Sequence, residues 1–162
     1  MSEAKRESPH VSITGLDPEA IAKRLEPLAI KVISLVSRRP DVVVVEFSDK
    51  TDARAALLEI RKLLKDDGQA ELALQDDYGN ELYPTGTIQV RFVEAPSDED
   101  LIALGKDLGL EVIARNEFQP NQASFAAVDK MAADLEADIG RLERRPEVRK
   151  AWPEVRAKYR RY

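Results

Sequence analysis

The sequence contains no cysteine and only one histidine in 162 residues. Without cysteine there can be no disulfide framework, thiolate nucleophile, cysteine-based zinc site or iron–sulfur cluster. One histidine excludes metal sites built on two or three imidazoles. It also makes any Ser-His-Asp chemistry depend on His10, beside a polar N-terminal stretch. No apolar run approaches the roughly 18 residues that a membrane helix needs. The first residues, Met1-Ser2-Glu3-Ala4-Lys5-Arg6-Glu7, lack the apolar stretch of a secretion signal, which implies a cytoplasmic location. Glycine-rich phosphate loops are absent too. The adjacent carboxylates Asp66-Asp67, Asp76-Asp77 and Asp98-Glu99-Asp100 fall at expected helix ends and turns, where caps and solvated acids belong, and no spacing isolates a general-acid pair. The expectation is a protein that is not an enzyme, with no catalytic residue, metal, cofactor, small-molecule substrate or membrane partner.

What is present is a globular composition, 43% hydrophobic and 34% charged, with its charge unevenly placed. Residues 141–162 hold nine bases (Arg141, Arg144, Arg145, Arg149, Lys150, Arg156, Lys158, Arg160, Arg161) against three acids, or +6. The formal total of −5 therefore leaves −11 on the other 140 residues. A basic end on an acidic body suits an anionic partner such as nucleic acid, although arginines also favour the negative end of a helix dipole.

The order of elements follows from periodicity and punctuation. His10–Thr14 reads as a strand closed by Gly15, and Asp17-Pro18 opens a helix with Asp as cap and Pro in the first turn. Pro27 either kinks a long helix through Val36 or ends a short one. The β-branched residues after it favour a strand over 29–37. A turn at Arg38-Arg39-Pro40-Asp41 then leads to the apolar strand Val42–Phe47. Ala53, Ala56, Leu57, Ile60, Leu63 and Leu64 recur at helical spacing, with Gly68 as the stop, and a strand over 69–75 follows. In the second half, Ile88, Val90 and Phe92 alternate along a half-buried strand, and Ser97 caps a helix lined by Leu101, Leu104 and Leu108. Strands over 110–115 and 123–128 come next. A helix capped by Asp129 carries Val128, Ala132, Leu135, Ile139 and Leu142, and a last strand over 148–152 is limited by Pro153.

This reading predicts an α+β fold of two tandem ferredoxin-like (βαββαβ) subdomains packed together. The expected boundaries are a disordered N-terminus at 1–9, a first subdomain at 10–76 and a linker at 77–86. A second subdomain over 87–155 and a basic tail over 156–162 complete the chain.

Each half carries a resemblance. Val11-Ser12-Ile13-Thr14-Gly15-Leu16 and Val42-Val43-Val44-Val45-Glu46-Phe47, followed by the helix at Asp52-Ala53-Arg54-Ala55-Ala56, resemble the two strand motifs of an RNA-recognition motif. The stacking rings that such a sheet needs are replaced by Ser12, Val42 and Val44, leaving only Phe47, which should face the core. The fold is therefore expected without RNA binding on that sheet.

The second half, from Thr85-Gly86-Thr87-Ile88-Gln89-Val90-Arg91-Phe92 through Leu108-Gly109-Leu110-Glu111-Val112-Ile113 to Arg145-Pro146-Glu147-Val148-Arg149-Lys150-Ala151, resembles the N-terminal propeptides of subtilisin-like proteases, especially the fervidolysin type. That resemblance implies a ferredoxin-like domain whose sheet packs on a protease while its C-terminal tail lies in the active-site cleft, acting as folding chaperone and product-like inhibitor. On this chain the implied contacts are Arg91, Ile113 and Arg115 on the sheet, with Tyr159, Arg160, Arg161 and Tyr162 in the tail. Because the chain stops at Tyr162, where a protease domain would begin, the expectation is a stand-alone inhibitor or regulator of a separate protease, subtilisin-like or caspase-like. A second expectation is an adaptor or sequestering protein that the partner cleaves, at Arg39 or Arg161. A third is nucleic-acid binding through the basic C-terminus.

Overall fold

The computed structural model describes residues 10–28, 32–39, 42–47, 53–65, 67–75 and 77–157. The stretch 1–9, expected as disordered, and the tail from 158 onward lie outside the described residues. The chain falls into two compact units, the first reaching Thr85 and including Val155 onward, the second running Gly86–Glu154.

In the first unit, β1 (His10–Thr14), α1 (Pro18–Arg24), β2 (Val32–Arg39), β3 (Val42–Phe47), α2 (Ala53–Leu64) and β4 (Gln69–Leu72) follow the βαββαβ order. Their antiparallel sheet runs β2-β3-β1-β4, the ferredoxin-like arrangement. Asp17 caps α1 by accepting from the Ala20 amide, as its position before Pro18 predicts. The core joins one face of the sheet (Val11, Ile13, Val43, Val45, Ala70) to the apolar stripes of the two helices (Ile21, Ala56, Leu57, Ile60, Leu64).

The second unit repeats the order with β6 (Glu81–Phe92, entering the unit at Gly86), α3 (Asp98–Leu108), β7 (Leu110–Arg115), β8 (Gln122–Ala127), α4 (Leu135–Glu143) and β9 (Val148–Ala157). Strand β6 pairs with both β8 and β9, and β8 pairs with β7, so this unit too is ferredoxin-like. Ile88, Val90 and Phe92 alternate inward as expected and meet Leu101, Leu104, Phe125 and Leu142 in one core. Ser97 accepts from the Asp100 amide at the start of α3, and Gly109 closes that helix at φ 71°.

Several local expectations are corrected. The helix beginning at Pro18 ends before Pro27, and a 3-10 turn (Glu26–Leu28) precedes β2, which extends to Arg39, so Arg38 and Arg39 belong to the strand and not to a turn. Helix α2 stops at Leu64 with Lys65 at φ 56°, its amide donating to the Arg61 carbonyl, so the left-handed residue precedes Gly68. The strand expected over 69–75 is interrupted at Ala73, whose amide donates to the His10 carbonyl. Beyond the break, β5 (Leu74–Gln75) turns back to pair with Leu82 and Glu81 at the start of β6. Residues 81–86, expected as linker, are therefore strand. Asp129 caps a turn, accepting from the Met131 amide, while Asp134 caps α4 through the Ala137 amide; the helix thus starts later than expected and Val128 is exposed. Finally, β9 continues through Pro153 to Ala157 and does not end near Trp152.

A glycine in the interior of α3 sets how closely that helix approaches β7. A Cβ on Gly105 would sit 2.5 Å from the Leu110 carbonyl oxygen, a backbone atom that cannot swing away. Gly105→Ala gains helix propensity but forces helix and strand apart, and is expected to lower the second unit's stability by about 1–3 kcal/mol net. Urea denaturation followed through Trp152, the single tryptophan and a member of this unit, measures it. An unchanged midpoint would mean that the helix can shift at no cost.

Candidate interaction face

In the first unit's sheet, β1, β3 and β4 carry buried residues on both sides. Opposite its helices, Ser12, Val42, Val44 and Glu71 are covered, the two valines packing with Ala73 and Tyr83. The Ser12 hydroxyl lies 2.9 Å from the Pro84 carbonyl and 3.3 Å from that of Glu71, and Thr14 reaches the Thr85 carbonyl at 3.3 Å. The start of β6 thus lies over the positions from which an RNA-recognition motif would stack bases. At its edge, His10 Nδ1 and Glu81 Oε2 are 2.6 Å apart, and His10 Nε2 is 3.6 Å from Glu46. Tyr83 donates to the other Glu81 oxygen at 3.2 Å. Both nitrogens of His10 therefore face carboxylates, which is a structural clasp and not the geometry of a serine triad. Among the described residues, no group of three His, Cys, Asp or Glu side chains is placed to hold a metal ion.

The matching face of the second unit is different. Strand alternation that buries Val90 and Phe92 points Gln89 and Arg91 outward on β6, and Trp152 and Glu154 stand beside them on β9. The Arg91 guanidinium lies 5.6 Å from the Trp152 ring centroid and donates to Gln122 at 3.4 Å; the Lys150 ammonium is 5.9 Å from the same ring. Gln89 donates to Glu154 at 3.1 Å. Two cations around one half-buried indole make an aromatic platform with positive charge at its rim.

Of the residues singled out by sequence, Arg91 lies at the centre of this face. Ile113 is the extra residue of an irregularity in the pairing of β7 with β8, and is 52% exposed. That irregularity reverses the strand's alternation, so Arg115 serves elsewhere. Its guanidinium donates to the carbonyls of Pro96 (2.6 Å) and Pro120 (2.8 Å) and pairs with Asp98 at 3.0 Å, tying the end of β7 to the start of α3. Arg39 ends β2 with its Cα opposite Val42. Tyr159, Arg160, Arg161 and Tyr162 lie outside the described residues. Trp152 and Lys150 were not singled out from the sequence. Their signal was a lysine and the lone tryptophan two residues apart in a strand, hence on one face.

Fold and face together define an α+β protein of two ferredoxin-like units, one with its second sheet face closed and one bearing an aromatic-basic cluster there. No family model matches the chain, and no curated protein matches it. Among solved structures it is similar to one described as a Sxl-lethal protein/RNA complex, at 11% identity, over 92% of this chain and 98% of that one, with a TM-score of 0.39. At that score the likeness assigns no residue a role.

Proposed function

We propose that the chain is a binding protein whose second unit docks on a separate protease in the manner of a propeptide, its Arg91–Trp152 face against the protease and the residues after β9 directed to the cleft. The observation that supports this reading is the position of the three propeptide-like segments. They fall on the first, second and last strands of a single βαββαβ unit, with Val90, Phe92, Leu110, Val148 and Ala151 all in its core. Those residues specify the fold, which leaves the helix-free face and the tail for a partner.

The test is inhibition of a subtilisin-like protease, and in parallel of a caspase-like one that cleaves after basic residues, by the whole chain. A one-to-one complex is expected, and deleting Tyr159–Tyr162 is expected to raise the inhibition constant at least about tenfold, equivalent to about 1.4 kcal/mol. Equal inhibition by the truncated chain would rule out the tail's role, and no inhibition of either class would end the reading. A discrete cut after Arg39 or Arg161, read by mass spectrometry, would favour the cleaved adaptor.

One observation favours a second reading. A half-buried indole flanked by Arg91 and Lys150 is the kind of surface on which single-stranded nucleic acid stacks. That reading requires oligonucleotide binding that falls steeply with salt and is weakened by Trp152→Ala; absence of binding at low salt disposes of it.

A further inference from the structure

A second surface of the second unit lies away from that face. Where β6 ends, residues 93–96, helix α3 and the turn at 145–147 enclose an open groove of about 600 Å³, within the range of ligand-binding clefts. Its lining includes the apolar side chains of Phe92, Ala103, Leu104 and Pro146. Its walls carry four carboxylates: Glu94, Asp100, Asp107 and Glu147. Asp107 is engaged, since Arg145 Nη2 lies 3.4 Å from its Oδ2. The carboxylates of Glu94, Asp100 and Glu147 have no cationic partner among the described residues. Arg145, itself part of the lining, shows that a guanidinium can settle on a carboxylate of this groove.

We propose that this groove binds a short, extended, basic peptide segment of a partner protein, in which arginines or lysines alternate with apolar side chains. Such a segment fits because its apolar side chains can pack on Phe92, Ala103, Leu104 and Pro146, while long arginine or lysine stems let the charged heads reach Glu94, Asp100 and Glu147. An acidic segment would meet like charge there, and a purely apolar one would leave the three carboxylates unpaired. This inference rests on the groove alone and is independent of the protease reading.

The experiment is fluorescence polarisation of a labelled hexapeptide alternating leucine and arginine, titrated with the whole chain at low salt. Saturable binding is expected. The double substitution Glu94→Gln with Glu147→Gln should weaken it about tenfold, and Ala103→Trp, which fills the groove from an exposed helix position, should abolish it. All variants change exposed residues, and unaltered far-UV circular dichroism verifies their fold. The control pair Asp129→Asn with Glu136→Gln, remote in sequence from the groove lining and equal in charge removed, should leave binding unchanged. Failure to bind the peptide overturns the proposal. So does equal weakening by the control pair, which would show attraction to net negative charge only.

Discussion

Replacing Tyr83 by alanine is expected to destabilise the first unit by about 3–5 kcal/mol, the range for removing a large aromatic side chain from a packed interior. Tyr83 is fully buried and packs on Val42, Val44 and Ala73, the face of the sheet away from the helices. Its removal opens a cavity over two valines whose own burial depends on it. The hydroxyl also donates to Glu81, the carboxylate that faces His10. Tyr83→Phe keeps the ring, loses the bond to Glu81, and is expected to cost about 1 kcal/mol. Urea denaturation followed by far-UV circular dichroism compares the two variants. A cost below about 1 kcal/mol for the alanine variant would show that the start of β6 does not close this sheet.

The second large effect concerns a buried ion pair. Arg61 on α2 and Glu71 on β4 are 6% and 4% exposed. Arg61 Nη2 donates to both Glu71 carboxylate oxygens at 3.1 and 3.2 Å, and Arg61 also donates to the Ala70 carbonyl; Gln69 donates to Glu71 at 2.8 Å. Glu71→Ala removes the carboxylate that faces a buried guanidinium and is expected to cost about 3–5 kcal/mol. Replacing both partners by leucine removes the buried charge together with its partner, so the double variant is expected to be more stable than Glu71→Ala. Urea midpoints of the two decide it. A double variant no better than the single would mean that the hydrogen bonds to Ala70 and Gln69, and not the charge pair, dominate.

Both effects concern residues that periodicity did not mark. Tyr83 lies in the stretch 77–86 expected as linker, just after the turn residues Asp76-Asp77-Tyr78-Gly79-Asn80. A strand partner, β5, and a buried sheet face override that local chemistry. Glu71 sits where an alternating strand should present a solvated acid. Its burial depends on the start of β6 lying alongside and on an arginine from the preceding helix. The expected cap at Asp129 failed for a related reason: two nearby aspartates can each start a turn, and the later one, Asp134, sets the helix. Arg115 left the shared face because one extra residue at Ile113 changes which side a strand presents, and nothing local in Leu110–Arg115 announces that irregularity.

By itself the sequence determined the class of fold and most of both cores. Alternation at Ile88, Val90 and Phe92, the helical spacing from Ala56 to Leu64, and the caps at Asp17 and Ser97 all act within a few residues, where local sterics and hydrogen bonding decide. It also determined the absence of thiol and polyhistidine chemistry, since no fold can supply side chains that the chain lacks. Only the tertiary structure decided which sheet face is covered and which carries Arg91, Lys150 and Trp152. It alone brought Glu94 and Glu147, far apart in the chain, to the walls of one groove. Those outcomes depend on distant strands and turns meeting in space, and burial of a face is a property of what lies over it.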